Sequence, residues 1–336
     1  MKIVLAASIF PPEVGGPATY AAGLKDALEK MGHTVDLHVF SALKLPTGMR
    51  HIVYTYRLLR AARGADLLIA FDTLTTGLPA AIVRRVYAVP TVARIGGDFI
   101  WEHYVERTGE LIPLPLFYKR RDRWSGKERF LFRITQFVLQ SIDVAFSSTW
   151  QKDLWSEVYT LGQSRVHIIE NAILPKVGSA DPERKLFLHF GRKIRLKNST
   201  AFRRAFDHVL RAHPEIVLEE GMVPQSELLE RMKKAYAVAL PSISDVTPNI
   251  ILDAIRCGKP FLLTKHSGYA TPFQDFGVLV DPLDEESMAQ GIERLLDPVE
   301  YERKRTAIAA FSRVRTYEDI AKEFLTSARH DARLSQ

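Results

Sequence analysis

Residues 237–260 read AVALPSISDVTPNIILDAIRCGKP, and the stretch divides into three parts. Ala237–Leu240 is a short, uninterrupted apolar run of the kind that forms a strand covered on both faces. Residues 241–247 hold two serines and Asp245 without periodicity, which reads as a short loop. Pro248-Asn249 opens a helix, since proline fits a first helical turn, and Gly258 stops it. Strand, loop and helix in that order form the repeating unit of a parallel α/β sheet.

The same unit recurs in both directions along the chain. Residues 2–7 (KIVLAA) form a strand-like run, followed by the glycine loop Val14-Gly15-Gly16-Pro17. A helical pattern then places Tyr20, Leu24, Ala27, Leu28 and Met31 at three- and four-residue spacing, with Gly32 as the stop. Residues 185–190 (KLFLHF) open a second series, ended by Gly191 and followed by a helix over about 199–212. Further strands are expected at 35–40, 67–71, 91–95, 144–147, 166–169, 216–219, 261–264 and 278–280. The stretch LPKVGSADPE at 174–183 is the linker, with two prolines and no periodicity. The expected architecture is α/β, with two Rossmann-like domains facing across a cleft. Residues 1–175 form the first, residues 176–315 the second, and 316–336 a terminal helix that packs back on the first.

The 336 residues suit about two domains of ordinary size. With 46% apolar and 25% charged residues and a mean hydropathy of −0.06, the composition excludes disorder, collagen and coiled coil. No run approaches the roughly 18 apolar residues of a spanning helix, and the N-terminus reads as a strand rather than a signal peptide. The single cysteine, Cys257, cannot close an internal disulfide or build a thiolate zinc site. Cytoplasm is the default compartment. A Gly-x-Gly-x-x-Gly turn, a Gly-Lys followed by Ser or Thr, and two aspartates one residue apart are all missing. Dinucleotide sites, P-loops and a paired-carboxylate metal clamp are therefore disfavoured.

The net charge of +7 is uneven. Residues 118–133 (YKRRDRWSGKERFLFR) hold seven basic and two acidic side chains among Tyr118, Trp124, Phe130 and Phe132. Such a segment is either a solvated helix face with ordinary core anchors or a contact with an anionic membrane at its inner face.

The chemistry concentrates in 241–260. Asp245 precedes the helix and Asp253 comes eight positions later. The amides of Thr247, Pro248, Asn249 and Ile250, less the imide nitrogen of proline, surround a helix start where anions are favoured. Two carboxylates beside a bound phosphate can accept hydrogen bonds from polyol hydroxyls. The alternative reading makes Asp245 an N-cap and Asp253 a solvated helix residue.

This stretch resembles the signature of glycosyltransferase family 4, whose members have the GT-B fold. The family pattern is Pro-Ser, a Glu, seven residues, a second Glu, then Ala-x-x-x-Gly-x-Pro. Here it reads Pro241-Ser242, Asp245, seven residues, Asp253-Ala254, Gly258, Pro260. The opening PPEVGGPATYAAGLKDALEKMGHTV, the segment HFGRKIRLKN, the element Ile169-Glu170-Asn171-Ala172 and the tail GVLVDPLDEESMAQGIERLLD are similar to further family elements. Both family glutamates are aspartates here, one methylene shorter.

The resemblance implies a retaining, metal-independent transferase working from a nucleotide-diphosphate sugar, with no cofactor beyond that co-substrate. Arg192 and Lys197, beside Gly191, would neutralise the diphosphate. Asp253 would bind ribose hydroxyls and Asp245 the transferred sugar, while Gly15 and Gly16 let backbone approach the sugar or diphosphate. Asp98, at the end of a strand in RIGGDF, and after it Glu102, would contact the transferred sugar, the alternative being that Asp98 caps the next helix. The proton of the acceptor passes to a leaving-phosphate oxygen in the front-face mechanism usual for such enzymes, so no protein base is required. The acceptor would be a glycan, polysaccharide or lipid-linked molecule, with no nucleic-acid partner. Two alternatives are a catalytically silent nucleotide-binding protein and a nucleotide-sugar epimerase. His189 reads as structural, and no histidine pair has metal-ligand spacing.

Overall fold

All the strands expected above form in the computed structural model, which describes residues 1–13, 15–161, 166–178 and 180–334. Val14 of the glycine loop, Ser179 of the linker and residues 335–336 of the terminal segment lie outside the described residues.

The first sheet contains β1 (Lys2–Ala7), β2 (Thr34–Val39), β3 (Leu67–Ala70), β4 (Thr91–Ile95), β5 (Asp143–Phe146) and β6 (Val166–Ile168). Its order is β2-β1-β3-β4-β5-β6, with every pairing parallel. The second sheet contains β7 (Lys185–Phe190), β8 (Ile216–Gly221), β9 (Ala237–Leu240), β10 (Phe261–Thr264) and β11 (Gly277–Val280). Its order is β11-β10-β9-β7-β8, again all parallel. Strands such as LLIA and AVAL are buried at every position, as parallel strands covered on both faces must be.

Both sheets start in the interior and reverse direction once. In the second, the chain runs from β7 out to β8 and returns to β9 on the other side of β7. The loops after β7 and β9 therefore leave adjacent strand ends for opposite faces, the switch point at which open α/β sheets bind ligands. Separate apolar cores cover the two faces. Phe202, Phe206, Met288 and Ile292 pack on one, and Ile251, Ile255, Met232 and Phe273 on the other. In the first sheet the reversal falls between β1 and β3, beside the glycine loop.

The chain forms two compact units whose bounds differ from the expected domains. Residues 1–100, 123–172 and 315–336 make up the first; residues 101–122 and 173–314 make up the second. Residues 101–122 join the second because the Leu114 amide donates to Ser244 Oγ at 2.9 Å and Gly109 lies beside the Arg195 guanidinium. The helix Tyr317–Leu334 belongs to the first unit, where Ile320 and Phe324 are fully buried against Tyr20 and Leu24. Arg315 anchors its start through two bonds to Glu323. The Tyr317 ring covers Gly23 so closely that a Cβ there would fall 2.5 Å from it.

Within 118–133, Tyr118 and Trp124 are buried, and Phe132 stacks on Tyr159 with centroids 4.5 Å apart. Three of the four aromatics thus serve packing, and Phe130 is the exposed one. The helix Gly126–Ser141 starts from a capping box in which the Ser125 amide donates to Glu128 at 2.7 Å.

Candidate functional site

The loop after β7 is fixed from below. Asn198 takes the left-handed conformation (φ 57°), tolerated by asparagine better than by most residues, and caps the helix Ser199–Leu210. Its buried amide nitrogen donates to Pro282 O at 2.6 Å and to Pro241 O at 3.3 Å. The Ile243 amide donates to Leu196 O at 2.9 Å. The loops leaving β7 and β9 are therefore tied to each other by backbone and side chain before any ligand is considered.

On that frame Lys197 Nζ donates to Asp245 Oδ2 at 2.7 Å, with both side chains about one-fifth exposed. The stem of Lys197 runs beside Gly191, its Cδ 3.5 Å from where a Cβ would sit. Asp245 is held by its amide, which donates to His266 O at 3.1 Å, and by a bridge to Ser267. Arg192 turns elsewhere: its guanidinium is exposed and lies 3.7 Å from Glu102. Of the two expected phosphate-binding cations, Lys197 stands at Asp245 and Arg192 at Glu102.

Pro248 caps the helix Asn249–Arg256 without a side-chain bond. Thr247 and Pro248 are buried at this turn, and Asn249 and Ile250 are half-buried. Asp253, in the middle of that helix, is buried. Its Oδ2 accepts from Gln225 Nε2 at 2.5 Å, and its Oδ1 from the Arg256 guanidinium at 2.9 Å. Burial raises its pKa, and the bonds from Gln225 and Arg256 offset part of that rise. Arg256 also donates through Nε to Pro175 O at 3.2 Å. The two aspartates thus have separate surroundings, Asp245 with a lysine and Asp253 with an amide and a guanidinium.

Gln225, Arg256 and Asn198 are not among the residues expected from sequence, and Glu102 stood there only behind Asp98 as a candidate for sugar contact. Arg256 follows Asp253 by three positions on a helix, a spacing that puts two side chains on one face and could have flagged the pair. Gln225 stands 28 residues upstream, and nothing local marks it. His189 is structural: its ring contacts Ala239 O at 3.1 Å and Ser199 Oγ at 2.8 Å, and burial lowers its pKa. Among the described residues, no cluster of three His, Cys, Asp or Glu side chains could hold a metal ion.

The remaining expected residues belong to the first unit. Gly15 precedes the helix Gly16–Lys30, whose Gly16-Pro17 start needs no side-chain cap. Asp98 is buried, three residues beyond β4 and immediately before the helix Phe99–Thr108.

Residues 221–311 match the family model described as Glycosyl transferases group 1. No curated protein sequence matches the chain. Solved structures match it over nearly its whole length at low identity. Sucrose-phosphate synthase from Thermosynechococcus elongatus superposes with a TM-score of 0.74 at 14% identity, covering 99% of each chain. The HepE protein of Anabaena, in complex with UDP-glucose, gives 0.64 at 15% identity and 99% of each chain. The catalytic domain of starch synthase IV from Arabidopsis thaliana, bound to ADP and acarbose, gives 0.66 at 12% identity and 99% of each chain. The fold, two parallel α/β sheets in one chain, is GT-B.

Proposed function

We propose that the chain is a retaining, metal-independent glycosyltransferase that moves a sugar from a nucleotide-diphosphate sugar to a glycan, polysaccharide or lipid-linked acceptor. The observation carrying this reading is the 2.7 Å pair of Lys197 and Asp245, on loops leaving adjacent strands at the switch point of the second sheet. The match of residues 221–311 to a glycosyltransferase model supports it. So do structures of the same fold that hold UDP-glucose or ADP.

In this reading the diphosphate draws Lys197 away from Asp245 and rests on the amides of Thr247, Asn249 and Ile250. Arg192 is the second cation and Gly191 leaves room for backbone approach. Asp245, released from the lysine, accepts hydroxyls of the transferred sugar. Asp253 accepts a ribose hydroxyl where Gln225 now donates. As the sugar–phosphate bond breaks, charge accumulates on the departing diphosphate, and the lysine and amides stabilise it more strongly than in the ground state. Asp98 and the Gly15-Gly16 turn, at strand ends of the first sheet, are proposed to contact sugar.

The test is a melting panel with UDP, GDP, ADP and their sugars, because a ligand that binds only the folded chain raises its melting temperature. The stabilising donor is then supplied with candidate acceptors, and the anomer of the product is read by NMR. Retention of the donor anomer supports the reading, and inversion contradicts it.

A second reading rests on the fact that both aspartates already have partners in the free chain. A nucleotide-binding protein without turnover would also keep them so. Tight nucleotide binding with no donor consumed under any acceptor would favour it.

A further inference from the structure

The second unit contains a cavity of about 290 Å³ beside the last turn of the helix Asn249–Arg256. Three stretches of chain bound it: residues 173–176, the pair Ile255-Arg256, and residues 309–314, where the helix Pro298–Ala310 ends. These stretches are tied to one another. The Val177 amide donates to Arg256 O at 2.9 Å, Arg256 Nε donates to Pro175 O at 3.2 Å, and Lys176 Nζ donates to Ala309 O at 2.6 Å. The cavity therefore has a bonded frame.

Its wall has two chemistries. Ile173 and Ile255 belong to the buried core on that side of the sheet, Phe311 packs against the same core, and Leu174 is half-buried. Val314 completes the apolar part and is 50% exposed. The charged lining residues are Lys176, Arg256 and Arg313, and none of the lining residues is acidic. Lys176 spends a donor on a carbonyl, which leaves its charge without a carboxylate. Arg256 uses Nε on Pro175 and one Nη1 donor on Asp253 Oδ1, so further N–H donors of its five are unspent.

We infer that the cavity binds a small amphipathic carboxylate, its hydrocarbon tail against Leu174, Phe311 and Val314 and its head on the guanidinium that Arg256 shares with Asp253. The volume lies near the lower end of the roughly 300–1,000 Å³ usual for ligand pockets, which sets the size of the occupant. An uncharged apolar molecule would leave the cations unanswered, and an inorganic anion would leave the apolar wall in water. Through Arg256 the cavity reaches the carboxylate proposed above to hold a ribose. That consequence alone rests on the proposed function: the two ligands draw on one guanidinium, and each weakens the other by the same factor.

The test is calorimetric titration of the full chain with octanoate, octanol and acetate. Octanoate is expected to bind on the order of tenfold more tightly than octanol, for the charged head, and on the order of a hundredfold more tightly than acetate, for the tail. Two variants, checked for unchanged melting, locate the site. Arg256→Gln is expected to lose most of the preference for octanoate over octanol. Ala309→Trp, a larger side chain at an exposed lining position, is expected to bind neither. The carboxyl carbon-13 resonance of Asp253, assigned by its loss in Asp253→Asn, is expected to move when octanoate is added to wild type and to stay in place in Ala309→Trp. No binding of octanoate, equal binding to all three proteins, or binding that leaves the Asp253 resonance unmoved would each overturn the inference. A chain that binds octanoate but no nucleoside diphosphate would contradict the proposed function alone, whereas independent binding of the two would overturn the sharing of Arg256.

Discussion

Lys197 Nζ stands 2.7 Å from Asp245 Oδ2, and the loops bearing them are joined by the Ile243 amide on Leu196 O. The pair couples two proposed tasks, because the lysine meant for a phosphate is already the partner of the carboxylate meant for a sugar. Removing Asp245 should therefore separate them. In Asp245→Ala, nucleoside diphosphates are expected to bind at least as tightly as to wild type, since Lys197 no longer has to leave a partner. The preference for the nucleotide sugar over the free nucleotide should vanish. Isothermal titration with matched nucleotide and nucleotide-sugar pairs checks both halves.

Asp253 and Gln225 form the second test. A ribose hydroxyl arriving at Asp253 Oδ2 displaces Gln225 Nε2, so the amide competes with the ligand. Gln225→Ala is expected to keep nucleotide affinity within a few-fold of wild type, whereas Asp253→Ala should abolish it. A 2′,3′-dideoxynucleotide, which lacks the hydroxyls, should bind wild type and Asp253→Ala about equally.

Lys259 gives a pH dependence with a defined sign. It is almost fully buried, its Nζ donates to Ala180 O at 2.7 Å, and burial pushes its pKa down from 10.5 to about 8. Between those two values the unfolded chain holds the proton that the folded chain has released, so raising the pH favours the fold. Relative to Lys259→Met, the wild type is expected to gain melting temperature from pH 8 to pH 10.5, and to show no such gain between pH 6 and pH 7. Parallel melting curves of the two proteins across that range decide it.

Gly23 tests the docking of the last helix. A methyl group there would sit 2.5 Å from the Tyr317 ring, which also meets Tyr20 edge-on at 5.9 Å between centroids. Gly23→Ala is expected to cost about 1–3 kcal/mol, the usual range for overpacking a filled core. Hydrogen exchange should accelerate in the helix Tyr317–Leu334, while the second sheet keeps its protection.

Strands such as LLIA and AVAL were legible as uninterrupted apolar runs, and β2 (TVDLHV) as an alternation of polar and apolar residues. The helix starting at Pro248 and stopping at Gly258 was legible for the same local reason, since proline and glycine act on backbone geometry alone. What stayed hidden depends on distant sequence. Residues 101–122 follow β4 in the chain yet join the second unit through bonds such as Leu114 to Ser244, 130 positions apart. Gln225 gives no sign of its bond to Asp253, and Arg192 none of its turn toward Glu102. The helix Thr47–Ala61 carries apolar residues on both faces, Tyr54 and Leu58 buried and Ile52 and Tyr56 exposed, so apolar pattern alone does not mark its inner face.

Lys197 is proposed to hold the phosphates of a nucleotide beside the opening turn of the helix Asn249–Arg256. Titration of UDP, GDP and ADP into wild type and Lys197→Ala tests it most directly. At least one nucleotide is expected to bind the wild type, and Lys197→Ala, with unchanged fold, is expected to bind it less tightly. The expected loss is about 1.5–3 kcal/mol, the range for a hydrogen bond from a charged donor. Equal affinity in the two proteins, or no binding of any of the three nucleotides to the folded wild type, would contradict it.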